Sequence, residues 1–136
     1  VAGTQGLVPT AWHKTMEQWG AAQMQRRFVK MADRWMTSKD YAAWLAIRSI
    51  GEAATRTGST DMEDIKAFIR GGQFELAGFK GRPLTYRSWN GQLRQPIPVA
   101  AARALVTLSP QEGFLHQHTE LDTLGYDAPE SSCQLK

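Results

Sequence analysis

Four residues of the types that commonly bind metal ions lie close together near the end of the chain. His116 and His118 are separated by one residue, and Glu120 and Asp122 follow them. In an extended segment the two histidines would point to the same side, and histidine is the commonest transition-metal ligand. The spacing is not that of a known zinc site, and no third His or Cys completes it. His116 and His118 are therefore either candidate metal ligands or polar residues of a tail.

Trp12 and His13 form a second candidate site. They fall where a predicted strand gives way to a predicted helix, and α/β folds bind ligands at such loops. We therefore name Trp12 and His13 as candidate ligand-binding residues. A histidine in solvent at the start of a helix is the other interpretation of His13.

The chain contains one cysteine, Cys133. It is either a free thiol or half of a disulfide whose partner lies outside these residues. Ser59, Ser88 and Ser109 lack the sequence context of a nucleophile elbow, and Gly71-Gly72 follows a predicted helix rather than joining a strand to one. No residue pattern favours catalysis, so we expect no enzyme activity, no catalytic residue and no cofactor.

The composition indicates one folded domain with a modest core. The 136 residues are 42% hydrophobic and 21% charged, and 16 Lys and Arg against 13 Asp and Glu give a net charge of +3. The basic residues are scattered rather than arranged in a stripe, so we expect no nucleic-acid partner. No apolar run approaches the ~20 residues of a membrane span, so we expect no membrane insertion.

Three helices are predicted. Apolar residues near a 3.6-residue period predict a long helix from Ala11 to about Asp33, capped by Thr10; this stripe of methionine and aromatic residues is read as core rather than as a cofactor site. A capping box at Thr37-x-x-Asp40 predicts a second helix that ends at Gly58. The residues expected on the buried faces of these two helices are Trp12, Met16, Trp19, Met24, Phe28, Met31, Tyr41, Trp44, Leu45, Ile47, Ile50 and Ala54.

A third, shorter helix should begin at a capping box, Thr60-x-x-Glu63, and stop at Gly71-Gly72. A strand, turn and strand follow between Phe74 and Val99, and Asn90-Gly91 predicts a type I′ turn.

The rest of the chain is less regular. Gly6-Leu7-Val8 predicts the end of a strand. Pro96 and Pro98 make the segment from Ala100 to Leu108 an edge strand or a crossing segment, and the sequence from Ser109 onward loses periodicity. The expected order is strand, long helix, two helices, β-hairpin, strand and irregular tail, with an α/β part at 1–108 and an extension at 109–136. Such an incomplete α/β unit exposes apolar helix faces, which the rest of a longer chain or a second copy would cover.

Four segments resemble a known family: GLVPTAWH at 6–13, DYAAWLAIRSIGEAATR at 40–56, WNGQLRQPI at 89–97 and SPQEGFLHQHTELDTLGYDAPESSC at 109–133. The helix and the hairpin are similar to those of type I periplasmic solute-binding proteins of the branched-chain amino-acid receptor family. All four segments together resemble a sub-branch associated with PQQ-dependent alcohol dehydrogenase systems, and the tail is the most specific part of this resemblance. The resemblance spans nearly this whole chain but only the last third of a full-length member.

The resemblance implies a fold class, α/β, in which this chain is part of a type I periplasmic-binding-protein lobe. It implies an ABC-transporter substrate-binding-like protein in the periplasm that binds a small solute by closing two lobes. The alternative is an accessory subunit, without a transport role, of a quinoprotein dehydrogenase system. The implied partners are the solute, an ABC permease or a quinoprotein dehydrogenase. A periplasmic location also favours a disulfide at Cys133 with a partner in the missing part.

Overall fold

One short strand, three consecutive helices and five further strands follow one another along the described part of the chain. The computed structural model describes residues 6–133 and 135. The outer limits of the two predicted parts, residues 1 and 136, lie outside the described residues. The helices are α1 (Ala21–Ala32), α2 (Ser38–Thr57) and α3 (Met62–Arg70). The strands are β1 (Val8–Pro9), β2 (Leu76–Ala77), β3 (Pro83–Tyr86), β4 (Leu93–Arg94), β5 (Ile97–Ala101) and β6 (Ala104–Ser109).

The strands form two sheets of three, in the orders β1-β5-β6 and β2-β3-β4. All of these pairings are antiparallel. The mixed α/β class is confirmed at this coarse level. Two short 3-10 turns, Glu120–Thr123 and Ala128–Glu130, lie in the tail.

The first helix is much shorter than predicted. It begins at Ala21 instead of Ala11, because Gly20 adopts a left-handed conformation with φ of 83°. Thr10 does not cap it; its hydroxyl bonds instead to the Trp12 carbonyl and, over 2.6 Å, to Ser38 Oγ. Turns between residues 11 and 20 still direct Trp12 and Met16 into the core. Trp19 is 90% exposed, so the prediction that it is buried is wrong.

The second helix has the predicted ends. Thr37 and Asp40 form the capping box, and Gly58 ends the helix with φ of 67°. Asp40 also accepts two hydrogen bonds of 2.7 Å from Arg34. Arg34 therefore holds the pKa of the Asp40 carboxyl well below its usual range.

The third helix is capped one residue later than predicted. Asp61 rather than Thr60 is the N-cap, and its side chain accepts from the backbone N–H groups of Glu63 and Asp64. Aspartate is among the strongest N-caps, because its oxygens satisfy otherwise unpaired N–H groups. The helix ends at Arg70, directly before Gly71 as expected.

The predicted hairpin is present as β3 and β4, but its turn differs. Asn90 is not among the positive-φ residues, and only Gly91, with φ of 69°, has the left-handed backbone. Type I′ geometry, which needs both, is therefore wrong. The loop spans residues 88–91, and Asn90 Oδ1 accepts from the Gln92 N–H over 2.9 Å.

The predicted strand from Ala100 to Leu108 is two strands. The chain turns after Ala101 and resumes at Ala104, so that β5 and β6 pair as a hairpin. β6 is an edge strand, but β5 lies between β1 and β6 although it contains Pro98. Because β1 is only two residues long, Pro98 lies beyond its pairing and accepts a bond from the Thr10 N–H.

Tyr41 lies at the centre of the core. Its ring stacks on Trp12 with centroids 4.7 Å apart and lies 6.0 Å from Trp44. Its hydroxyl donates over 2.7 Å to the carbonyl of Gly78. Gly78 admits no larger residue, since a Cβ there would lie 2.2 Å from Leu84 Cδ1. The hydrogen bond from the Tyr41 hydroxyl to the Gly78 carbonyl fixes the end of β2 against α2.

We predict that Tyr41→Phe lowers the free energy of unfolding by about 1 to 3 kcal/mol, because it leaves the buried Gly78 carbonyl without its donor. Urea unfolding followed by fluorescence measures the change. Tyr126→Phe is the matched control, since Tyr126 is exposed. Equal effects of the two substitutions would contradict this role of the Tyr41 hydroxyl.

Candidate functional site

A groove of about 500 Å³ lies between α1, α2 and the turn that contains Phe79. Met24 and Met36 are buried and form its floor, whereas Trp19 and Met31 are 90% and 83% exposed and stand at its mouth. Most of the lining is apolar, as in small-molecule sites. The lining residues are Trp19, Gly20, Gln23, Met24, Arg27, Phe28, Met31, Met36, Trp44, Arg48 and Phe79.

Two special backbone positions shape one end of the groove. Phe79 has φ of 56°, which is uncommon for a non-glycine residue. Its ring stacks on Trp44 at 5.6 Å and lies against Gly20, where a Cβ would be only 2.5 Å from the ring. Gly20 is thus required both by its positive φ and by the close approach of Phe79.

The groove is cationic. Among the described residues, Arg27 and Arg48 are the only charged ones that line it. Arg48 has a long exposed contact of 3.6 Å with Glu52 one turn away. Within the described part of the chain, Arg27 forms no ion pair. An anion bound here would meet two guanidinium groups and no carboxylate from the lining.

Lys80, the residue after Phe79, is 1% exposed. Its ammonium donates to Gln95 Oε1 over 2.7 Å and to the Pro96 carbonyl over 3.0 Å, and it lies 4.8 Å from the centre of the Tyr41 ring. No carboxylate pairs with it among the described residues. Burial therefore lowers the pKa of Lys80 to about 7.

A second, more polar cavity of about 850 Å³ separates the hairpin from the tail. Beside it Arg87, which is 2% exposed, donates to Asp122 over 2.7 Å and to the carbonyls of Tyr126 and Leu124. Arg94 donates to both carboxylate oxygens of Asp122. These bonds fasten the tail to the hairpin. Since each arginine that lines the cavity has a partner within the chain, it is a weaker candidate for anion binding than the groove.

The structure brings neither Trp12 nor His13 to the groove. Trp12 is buried and donates through Nε1 to Gln25 Oε1 over 2.9 Å. His13 is half-buried, and its Nδ1 lies 2.8 Å from Thr15 Oγ1. Their ligand-binding role remains a prediction; within this chain Trp12 packs as core.

His116 and His118 lie with ring centroids 5.9 Å apart. His116 Nε2 is 3.0 Å from Asp127 Oδ2. Among the described residues, no group of three His, Cys, Asp or Glu side chains could hold a metal ion. Cys133 is an exposed free thiol here, and its predicted disulfide partner would lie outside this chain.

The residues that form the groove were not identified from the sequence. Arg27 was counted only among the scattered basic residues, and Phe79 and Lys80 fell within the predicted strand, turn and strand between Phe74 and Val99. The available signal was the sequence Gly78-Phe79-Lys80-Gly81. Two glycines that close around an aromatic and a basic residue indicate a tight turn, which here carries both side chains inward.

The chain was compared with protein-family models, with curated proteins and with solved structures, and none of the three comparisons found a match. Among the described residues, no helix combines the length and apolar composition of a membrane span.

We predict that Lys80 makes stability depend on pH. Its pKa is about 7 in the folded chain and about 10.4 when unfolded. Between these values the unfolded state binds more protons, so the free energy of unfolding rises with pH, by up to about 1.4 kcal/mol per pH unit from this group. Urea unfolding between pH 6 and pH 10 should show this rise, and Lys80→Met should lack it.

The exposed Lys39 provides the control for this experiment, since Lys39→Met should keep the wild-type pH dependence. A Lys80→Met protein whose stability rises with pH as steeply as that of the wild type would contradict the role of Lys80.

Proposed function

We propose that this chain is the C-terminal portion of a periplasmic solute-binding protein, which binds a small solute by closure of two lobes. The protein takes part in a system linked to PQQ-dependent alcohol oxidation, and an ABC permease is its transport partner. The first support is the resemblance of segments 6–13, 40–56, 89–97 and 109–133 to that branch of the family.

The single structural observation that carries the proposal is the outward face of α2. Ala43, Ala46, Ile47 and Ile50 lie at helical spacing opposite the core residues Tyr41, Leu45, Ser49 and Ala53. Ile47 is 72% exposed and Ile50 is 41% exposed, so the prediction that these two isoleucines are buried is wrong for this chain alone. α2 also carries charged residues such as Arg48 and Glu52, but an apolar stripe on a helix usually packs against another element. The remainder of a lobe would cover this face.

The path of the chain gives further support. It leaves the β1-β5-β6 sheet after Pro9, builds the helices and the second sheet, and returns to the first sheet at Ile97. Two crossings between separate sheets are compatible with a hinge between bodies that move relative to each other. Lys80 bonds to Gln95 and Pro96 at the second crossing.

We predict that a panel of small metabolites, including alcohol-derived acids, contains a ligand that raises the melting temperature of the full-length protein. A ligand that binds only the folded state stabilises it by about 2.7 kcal/mol at one hundred times its dissociation constant. The same ligand should lower the radius of gyration in X-ray scattering, because the lobes close on it. A ligand that stabilises the protein without compaction would contradict two-lobe closure.

The tail favours a second candidate function, an accessory subunit of a quinoprotein dehydrogenase. The Arg87–Asp122 pair holds the extension in place, yet Phe114, Leu115 and Tyr126 remain exposed on it. A fixed segment with exposed apolar side chains is typical of an interaction surface. Failure of the whole metabolite panel, together with co-purification of a dehydrogenase that is lost in Leu115→Asp, would favour this function over transport.

A further inference from the structure

We propose that the groove between α1, α2 and Phe79 binds a small apolar monocarboxylate, an aliphatic or aromatic acid. The groove is separate from the outward face of α2 on which the proposed function depends. A ligand could therefore bind here whether or not the chain is part of a two-lobed receptor.

The shape and lining suit a small molecule. A volume of about 500 Å³ lies within the range of roughly 300 to 1,000 Å³ typical of ligand sites. Three methionines, Met24, Met31 and Met36, contribute flexible and polarisable surface, which adapts to ligands of different shape. The aromatic rings of Phe28, Trp44 and Phe79 add rigid apolar walls.

The charges select an acid. Arg27 and Arg48 line the groove and no carboxylate does, so the lining repels cations and attracts an anion. A guanidinium group presents paired donors that match a carboxylate. Arg27 is free of ion pairs among the described residues, and Arg48 has only the 3.6 Å contact with Glu52 to give up.

The rest of the lining limits the charge of that acid. Besides the two arginines, Gln23 supplies the only amide among the described lining residues. A phosphate or a dicarboxylate could pair its charge with the two arginines, but its additional oxygens would lie against the apolar lining, where polar atoms without partners are costly to desolvate. A single carboxylate on an apolar body leaves its tail on Met24, Met36 and Trp44 and its head near the arginines.

The mouth of the groove offers further apolar area to such a ligand. Trp19 and Met31 are the most exposed of the apolar lining residues, and covering them removes apolar surface from water. The affinity should therefore rise with the length of the aliphatic tail.

Isothermal titration calorimetry on the full-length protein tests the proposal with three probes of equal chain length: octanoate, 1-octanol and octylammonium. Octanoate should bind at least tenfold more tightly than 1-octanol, and octylammonium should bind more weakly than either. Hexanoate should bind more weakly than octanoate. No octanoate binding, or equal binding of octanoate and 1-octanol, would overturn the proposal.

Arg27→Gln and the adjacent Arg26→Gln form the matched pair of variants. Arg27 lines the groove and Arg26 does not, although both are exposed on α1. Arg27→Gln should bring octanoate affinity close to that of 1-octanol, whereas Arg26→Gln should retain the wild-type value. Equal loss in the two variants would mean that the charge of the helix, and not the groove, attracts the acid.

Met31→Gln separates the apolar contribution from the charge. Because Met31 is 83% exposed, the variant should fold as the wild type does. It should lower the affinities for octanoate and for 1-octanol by the same factor, so that the ratio of the two affinities is unchanged. If both Met31→Gln and Arg27→Gln keep the wild-type affinity for octanoate, the acid binds outside the groove and the assignment is overturned.

Discussion

The ring of Tyr41 stacks on Trp12, lies beside Trp44 and faces the Lys80 ammonium, while its hydroxyl bonds to Gly78. Through these contacts one side chain joins the loop after β1, α2 and the turn between β2 and β3. Trp12 extends the connection to α1 through Gln25. The groove depends on this stack, because Trp44 and Phe79 are its outer members.

Two buried cations join distant segments in different ways. Arg87 meets three carbonyls and the Asp122 carboxylate, which it shares with Arg94, so its charge has an opposite charge beside it and its donors are satisfied. Lys80 meets only an amide oxygen, a carbonyl and the face of a ring, and burial is not offset by an opposite charge. The tail is therefore held by an ion pair, whereas the link between α2, the Phe79 turn and the start of β5 carries an uncompensated ammonium. An uncompensated charge keeps that link sensitive to protonation in the neutral range.

Local signals in the sequence predicted local structure well. The capping box at Thr37 and Asp40 and the terminating Gly58 lie within one segment and depend on nothing else, so α2 was predicted with its correct ends. The start of α1 was wrong because apolar spacing cannot distinguish a helix from turns that bury the same side chains. The prediction of one strand from Ala100 to Leu108 was wrong because Ala102 and Arg103, which form the turn between β5 and β6, are not among the Gly, Pro, Asn, Asp and Ser residues that mark turns in a sequence.

The groove could not be predicted from local patterns. Its walls come from α1, α2 and the Phe79 turn, which lies 22 residues beyond the end of α2 at Thr57. The packing of Phe79 against Gly20 and Trp44 unites them. The anchor of the tail is equally distant in sequence, since Arg87 and Asp122 lie 35 residues apart. Trp12 was chosen for its place at a loop, but packing against Tyr41 puts it in the core.

The most direct measurement of whether α2 lies inside a larger fold is thiol labelling at Ile47→Cys in the full-length protein, read by mass spectrometry of the labelled peptide. Lys39→Cys, on the exposed first turn of the same helix, gives the rate of an open site. If the rest of a lobe covers the outward face of α2, Ile47→Cys will label far more slowly than Lys39→Cys and will reach the same rate only after unfolding. Equal rates in the native protein would contradict the account.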